Sequence, residues 1–121
     1  MMKKLPVLFI LFLLLSLAGC TTSPTGRSQL MMISEESAIT QSAQAYAQTM
    51  NEYAEKGQLS SDQALIDRVN RITGRLIYEA LIMRPDTRSW KWSMKVIDDP
   101  KTVNAWSMAG GRMALYTGLV E

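Results

Sequence analysis

Histidine is absent from all 121 residues of the chain. That excludes a Ser–His or Cys–His nucleophile pair and an imidazole general base, and it removes the commonest zinc ligand. There is one cysteine, Cys20, so no disulfide can close within the chain and no cysteine cluster can hold a metal. An excess of charge of either sign is also missing, with 13 basic side chains against 11 acidic ones. Such a balance builds no basic surface, and nucleic acid is not expected as a partner. No glycine loop has phosphate-cradling spacing, and there are no internal repeats or low-complexity segments. Carboxylates alone would suit harder cations, but Asp98-Asp99-Pro100 reads as a turn rather than a calcium or magnesium site. From these absences, the expectation is that the chain carries no catalytic residue and no metal-ligand set of its own.

Long apolar runs are scarce too, and the one present lies at the N-terminus. Met1 and Met2 are followed by Lys3 and Lys4, and Leu5 to Leu17 is apolar apart from Pro6 and Ser16. Leu17-Ala18-Gly19 then places small residues just before Cys20. The run is too short and wrongly flanked for a stable membrane span and has the form of a secretory signal. The cysteine makes it a lipobox, where a bacterial lipoprotein is acylated and cleaved. Residues 1–19 are therefore read as a lipoprotein signal peptide, Cys20 as the lipidation site and the lipid bilayer as a partner. Loss of Lys3 and Lys4 with the signal would leave basic and acidic residues equal in number. Attachment would come from acyl chains, at about 0.8 kcal/mol per buried methylene. Thr21, not Asp, follows the cysteine. Resemblance to the Gram-negative sorting system then implies the outer membrane, facing the periplasm.

Residues 20–33 read as a lipidated tether, because Thr21 to Ser28 is rich in turn formers and poor in apolar side chains. The short apolar patch from Leu30 to Ile33 fits either an edge strand or a tucked loop. Ser34 is placed to cap a first helix, with Glu35 and Glu36 in its first turn and Gly57 ending it. Ile39, Ala43, Tyr46, Met50 and Tyr53 recur at helical spacing as its buried stripe. A second helix is expected from Ser60, with Gln63 completing a capping box. Its stripe is Leu65, Val69, Ile72, Leu76 and Ala80, and Asp67 is four residues from Arg71, the spacing of a surface ion pair. Arg68, Arg71 and Arg75, interleaved with Asp67 and Glu79, read as a solvated face. Trp90 to Ile97 alternates as a half-buried strand, and Asp98 to Gly111 reads as a long, mostly irregular connection. Gly110 and Gly111 then open a second strand over Met113 to Val120, for which antiparallel pairing with the first is the simplest arrangement.

The order Val96-Ile97-Asp98-Asp99, Asn104-Ala105, Gly110-Gly111 and Tyr116-Thr117-Gly118-Leu119 resembles the membrane-associated zinc metallopeptidases of the HtpX and CAAX-prenyl-endopeptidase type. The resemblance is to their lipoprotein branch. In that family an Asn-Ala pair and a Gly-Gly pair precede the strand bordering the active-site cleft, and a helix bearing H-E-x-x-H follows. The family's proline before Gly-Gly is Ala109 here. The resemblance implies zinc in the full-length family, and Asn104, Ala105 and Gly118 are carried over as motif positions. It also implies that Gly110, Gly111, Arg112, Met113, Ala114, Leu115 and Tyr116 form the substrate-contacting strand, working by strand addition to an extended peptide.

The expected fold class is thus α+β: a signal segment, two amphipathic helices and a two-stranded β element, forming an incomplete zincin-like metallopeptidase domain. Residues 34–121 would be its N-terminal part, ending before the H-E-x-x-H helix. The expected function is that of an envelope lipoprotein related to quality-control metalloendopeptidases but inactive alone. Its expected partners are the bilayer and an extended peptide or misfolded envelope protein. The alternative is a non-catalytic envelope lipoprotein that binds peptides or a partner along its exposed strand.

Overall fold

The structure, a computed structural model, describes residues 20–23, 26, 28–30 and 32–120. The chain divides into two compact units, the second beginning at Glu35. The proposed signal peptide, residues 1–19, lies outside the described residues. In the first unit, β1 (Cys20–Thr22) pairs antiparallel with β2 (Ser28–Leu30), Cys20 opposite Leu30. The segment that the sequence reads as a tether thus carries a short strand pair. Gly26 adopts φ 83° and its N–H donates to the Ser23 carbonyl at 2.9 Å.

The second unit is α+β, with two helices and a small sheet. Helix α1 (Glu35–Glu55) starts with Glu35 and Glu36 against its positive dipole end. Past its end Gly57 takes φ 65°, the left-handed conformation expected of it. The predicted stripe faces inward, with Tyr46 and Met50 buried and Ile39, Ala43 and Tyr53 half-buried. Helix α2 (Gln63–Met83) is capped by Asp62, whose carboxylate accepts from the Leu65 N–H at 3.1 Å. Ser60 is therefore not the cap; its hydroxyl accepts from the Asp62 N–H instead. Asp67 accepts from Gln63 at 2.7 Å and makes no ion pair with Arg71.

The α2 stripe is also corrected. Val69 and Thr73 are buried, whereas Ile72 and Leu76 are 49% and 65% exposed. Thr73 follows Val69 by four residues, so the helix is rotated toward that row and away from the row of Ile72 and Leu76. After α2, the turn of 3-10 helix at Pro85–Ser89 redirects the chain. Here Arg84 bridges Glu35 and Asp86 and lies over the Trp90 ring.

Three strands form the sheet: β3 (Ser93–Ile97), β4 (Ala105–Met108) and β5 (Arg112–Tyr116), in the order β3-β5-β4. The expected two-stranded antiparallel element is thus overturned in two respects. Strands β3 and β5 run parallel, Ser93 opposite Arg112 and Ile97 opposite Tyr116. The connection between them contains β4, which pairs antiparallel with β5, Ala105 opposite Leu115 and Met108 opposite Arg112. Reversal through β4 is what lets β5 return in the direction of β3. The last strand ends at Tyr116, and Thr117–Leu119 is a 3-10 turn rather than more strand.

Each helix covers one face of this sheet. Tyr46 and Met50 of α1 meet Ile97 and Ala114, with Trp106, Met108 and Tyr116 around them. On the other face, Val69 of α2 meets Val96 and Leu115, with Met94 and Leu65 beside them. Alternation along each strand makes this division, since neighbours such as Val96 and Ile97 point to opposite faces.

Candidate functional site: the β4–β5 hairpin and its open edge

The hairpin turns at Gly110 and Gly111, with φ 87° and 82°. Both are positions where glycine is required by conformation. A Cβ on Gly111 would lie 2.7 Å from the Trp92 ring, and one on Gly110 would lie 3.0 Å from Ile39. The Trp92 indole is itself held, its Nε1 donating to the Thr87 carbonyl at 2.9 Å. Gly118, another motif position, sits where the 3-10 turn closes on residues 100–102: a Cβ there would lie 2.5 Å from the Thr102 carbonyl oxygen.

The residues expected to form the substrate strand do come together as one strand and its turn, but not at an edge. Strand β5 is the middle of the sheet, flanked by β3 and β4. Its backbone is committed on both sides, so Arg112 to Tyr116 cannot take an added strand. Ala114 and Leu115 are buried, Arg112, Met113 and Tyr116 half-buried, and Gly110 and Gly111 buried in the turn. Among these, Nη1 of Arg112 is buried without a hydrogen-bond partner.

The two outer strands differ. Next to β3, the Ser60 N–H donates to the Val96 carbonyl and the Asp98 N–H to the Gln58 carbonyl, so residues 58–60 cover the Val96–Asp98 end of that edge. Strand β4 is the other edge. The Tyr116 N–H donates to the Asn104 carbonyl at 3.1 Å. In an antiparallel ladder such hydrogen-bonded pairs alternate. Trp106 and Met108 therefore address β5, while the N–H and C=O groups of Ala105 and Ser107 face away from it. Asn104 Oδ1 accepts the Ala105 N–H at 2.8 Å, marking where the open stretch begins.

Sequence reasoning missed Trp106, Ser107 and Met108 as part of the site. The signal was present: Ala105 to Met108 alternates, and a glycine pair separates it from a second alternating run, as in a hairpin.

The anchoring of the hairpin to α1 is aromatic and polar. The Tyr46 hydroxyl donates to the Met113 carbonyl at 2.9 Å and accepts from Ser93, and its ring meets Trp106 edge-on at 5.9 Å. The hydroxyls of Tyr53 and Tyr116 lie 3.1 Å apart, which raises the Tyr53 pKa, as does its burial. Behind the hairpin, the Asp99 carboxylate accepts from the Thr102 hydroxyl at 2.7 Å and from the Lys101 N–H. The Thr102 bond is the main reason its pKa lies below the usual carboxylate value. The turn reading of Asp98-Asp99-Pro100 therefore has a structural basis in these bonds. A cavity of about 450 Å³ adjoins this turn, lined by Ser60, Asp62, Leu65, Asp98, Thr117 and Val120.

Among the described residues, no three of His, Cys, Asp and Glu are grouped to hold a metal ion. Nor is any helix among the described residues long and apolar enough to cross a membrane. The backbone of Cys20 begins β1, but its side chain lies outside what is described.

Comparison with protein-family models, with curated proteins and with solved structures finds no match.

Proposed function

We propose that this chain is the N-terminal part of a lipid-anchored, zinc-metallopeptidase-type domain of the bacterial envelope. In this reading Cys20 is acylated, the chain faces the periplasm from the outer membrane, and its substrate is an extended segment of a misfolded envelope protein. The observation that carries it is the placement of the ordered motif. Asn104-Ala105, Gly110-Gly111 and Tyr116 to Leu119 fall on one hairpin and its closing turn, and the first strand of that hairpin is the open edge. An edge strand with outward backbone groups is what strand addition requires. The peptide-pairing role belongs to β4 rather than to β5. A second observation agrees with a larger domain: α2 leaves Ile72, Leu76, Tyr78, Ile82 and Met83 exposed.

The chain has no histidine, so the zinc of such a domain would be held by residues outside it, and no hydrolytic step is assigned to it. A non-catalytic peptide-binding lipoprotein is the second reading. It rests on the same open β4 edge, which can pair with a peptide without a metal ion.

Coding sequence beyond the Glu121 codon separates the two readings. An H-E-x-x-H helix in frame is expected for the first, and unrelated sequence would remove its basis. Radiolabelled fatty acid should enter the full chain in a Gram-negative host and be lost in Cys20→Ser. Stoichiometric zinc and chelator-sensitive casein cleavage by this chain alone would contradict both.

A further inference from the structure

The β4 edge is asymmetric between its two faces, and that asymmetry bears on which peptides it would accept. Side chains of Trp106 and Met108 lie on the α1 face, half-buried against its aromatic cluster. Those of Ala105 and Ser107 lie on the opposite face and are exposed. Trp106 is fixed in place, edge-on to Tyr46 at 5.9 Å, with its Nε1 donating to the Tyr116 hydroxyl at 3.4 Å. It is a rigid apolar platform beside the open edge rather than a mobile flap. No residue of β4 is charged.

An added strand continues the alternation of the sheet, so its successive side chains fall on the two faces in turn. Toward such a strand Trp106 occupies a non-hydrogen-bonded position, because its own backbone groups address β5. Directly opposite side chains approach most closely at positions of that kind, and aromatic–apolar pairs there are favourable. A charged side chain over Trp106 would lose water without gaining a partner. On the other face, Ala105 and Ser107 are small and solvated, so polar side chains opposite them stay wet.

We propose that the β4 edge selects extended segments in which apolar and polar side chains alternate, with the apolar ones facing Trp106 and Met108. The inference rests on the reading that β4 takes an extended peptide, and it names the chemical class of that peptide. It distinguishes an amphipathic strand from an apolar stretch of the same composition.

The test uses the full chain and labelled ten-residue peptides of one composition (Phe, Val, Ser, Thr), arranged either in alternation or as an apolar block. Alternating peptides should bind at least about fivefold tighter. Methylation of alternate backbone amides should abolish binding, and Trp106→Ala should erase the preference. Ser107 is exposed, so Ser107→Glu leaves the core untouched. That variant should favour alternating peptides with Lys at the polar positions over those with Glu, by several-fold. Equal affinity for alternating and blocked peptides, with methylation still abolishing binding, would overturn the selectivity and leave the edge reading intact. Binding that ignores backbone methylation, or no binding of either peptide, would overturn both.

Discussion

The two faces of the sheet are covered by helices of equal length, 21 residues each, yet they differ in how far that cover is complete. On the α1 face, Ile97 and Ala114 have no exposed surface, and none of the exposed large apolar residues belongs to α1. Its polar atoms are used as well, Tyr46 bonding the Met113 carbonyl and Tyr53 meeting Tyr116. On the α2 face, five large apolar side chains of the helix remain open to solvent, and Ala105 and Ser107 are exposed on the neighbouring strand. An apolar stripe says that a helix must be covered. It does not say by what. Helix α1 meets its cover within the chain, whereas α2 packs through Leu65, Ile66, Val69 and Thr73 and leaves those five apolar side chains open.

If the comparison is sound, substitutions on the two faces should separate cleanly. The largest effect is expected at Ile97, fully buried under α1. Ile97→Ala should cost about 2–5 kcal/mol, read as a lowered urea midpoint at constant slope. Gly111→Ala comes next, at about 1–3 kcal/mol, because it adds a Cβ against the Trp92 ring at a backbone φ of 82°. Tyr46→Phe removes one hydroxyl bonded to Met113 and Ser93 and should cost about 1 kcal/mol. On the open face, Leu76→Ser should change stability by less than about 0.5 kcal/mol, read by the same urea midpoint. A loss there as large as at Ile97 would mean that the α2 face is covered in solution, and the contrast would fail.

The smallest effect concerns pH. Asp99 is held below the usual carboxylate range chiefly by the Thr102 hydroxyl, and Asp86 by the Arg84 guanidinium. A carboxylate with a depressed folded pKa adds stability that is present above its unfolded value. That stability is lost as pH falls through the folded one, here below about pH 4. Urea midpoints should therefore decline on acidification, and Asp99→Asn should flatten part of that decline.

Much of α1 was legible in the residues themselves. Its acidic first turn, its stripe and the glycine beyond its end are all local signals, and the structure uses each of them. The start of α2 was less legible, because Ser60 and Asp62 are both good caps, and only the Leu65 N–H bond distinguishes them. Strand β4 went unread because four residues of alternation are too few to stand out between a turn and a glycine pair. The open edge followed from that omission, since with only two strands counted β5 had to be taken as an edge.

The sequence by itself determined the local elements: where α1 begins and ends, that Gly110 and Gly111 form a turn, and that the chain carries no histidine. These follow from backbone conformation and side-chain chemistry within a few residues. Tertiary structure alone decided that β3 and β5 run parallel, that β4 lies outside them, and which row of α2 is buried. Those outcomes depend on contacts between residues far apart in the chain, and neither a period nor a motif carries information about which partner completes them.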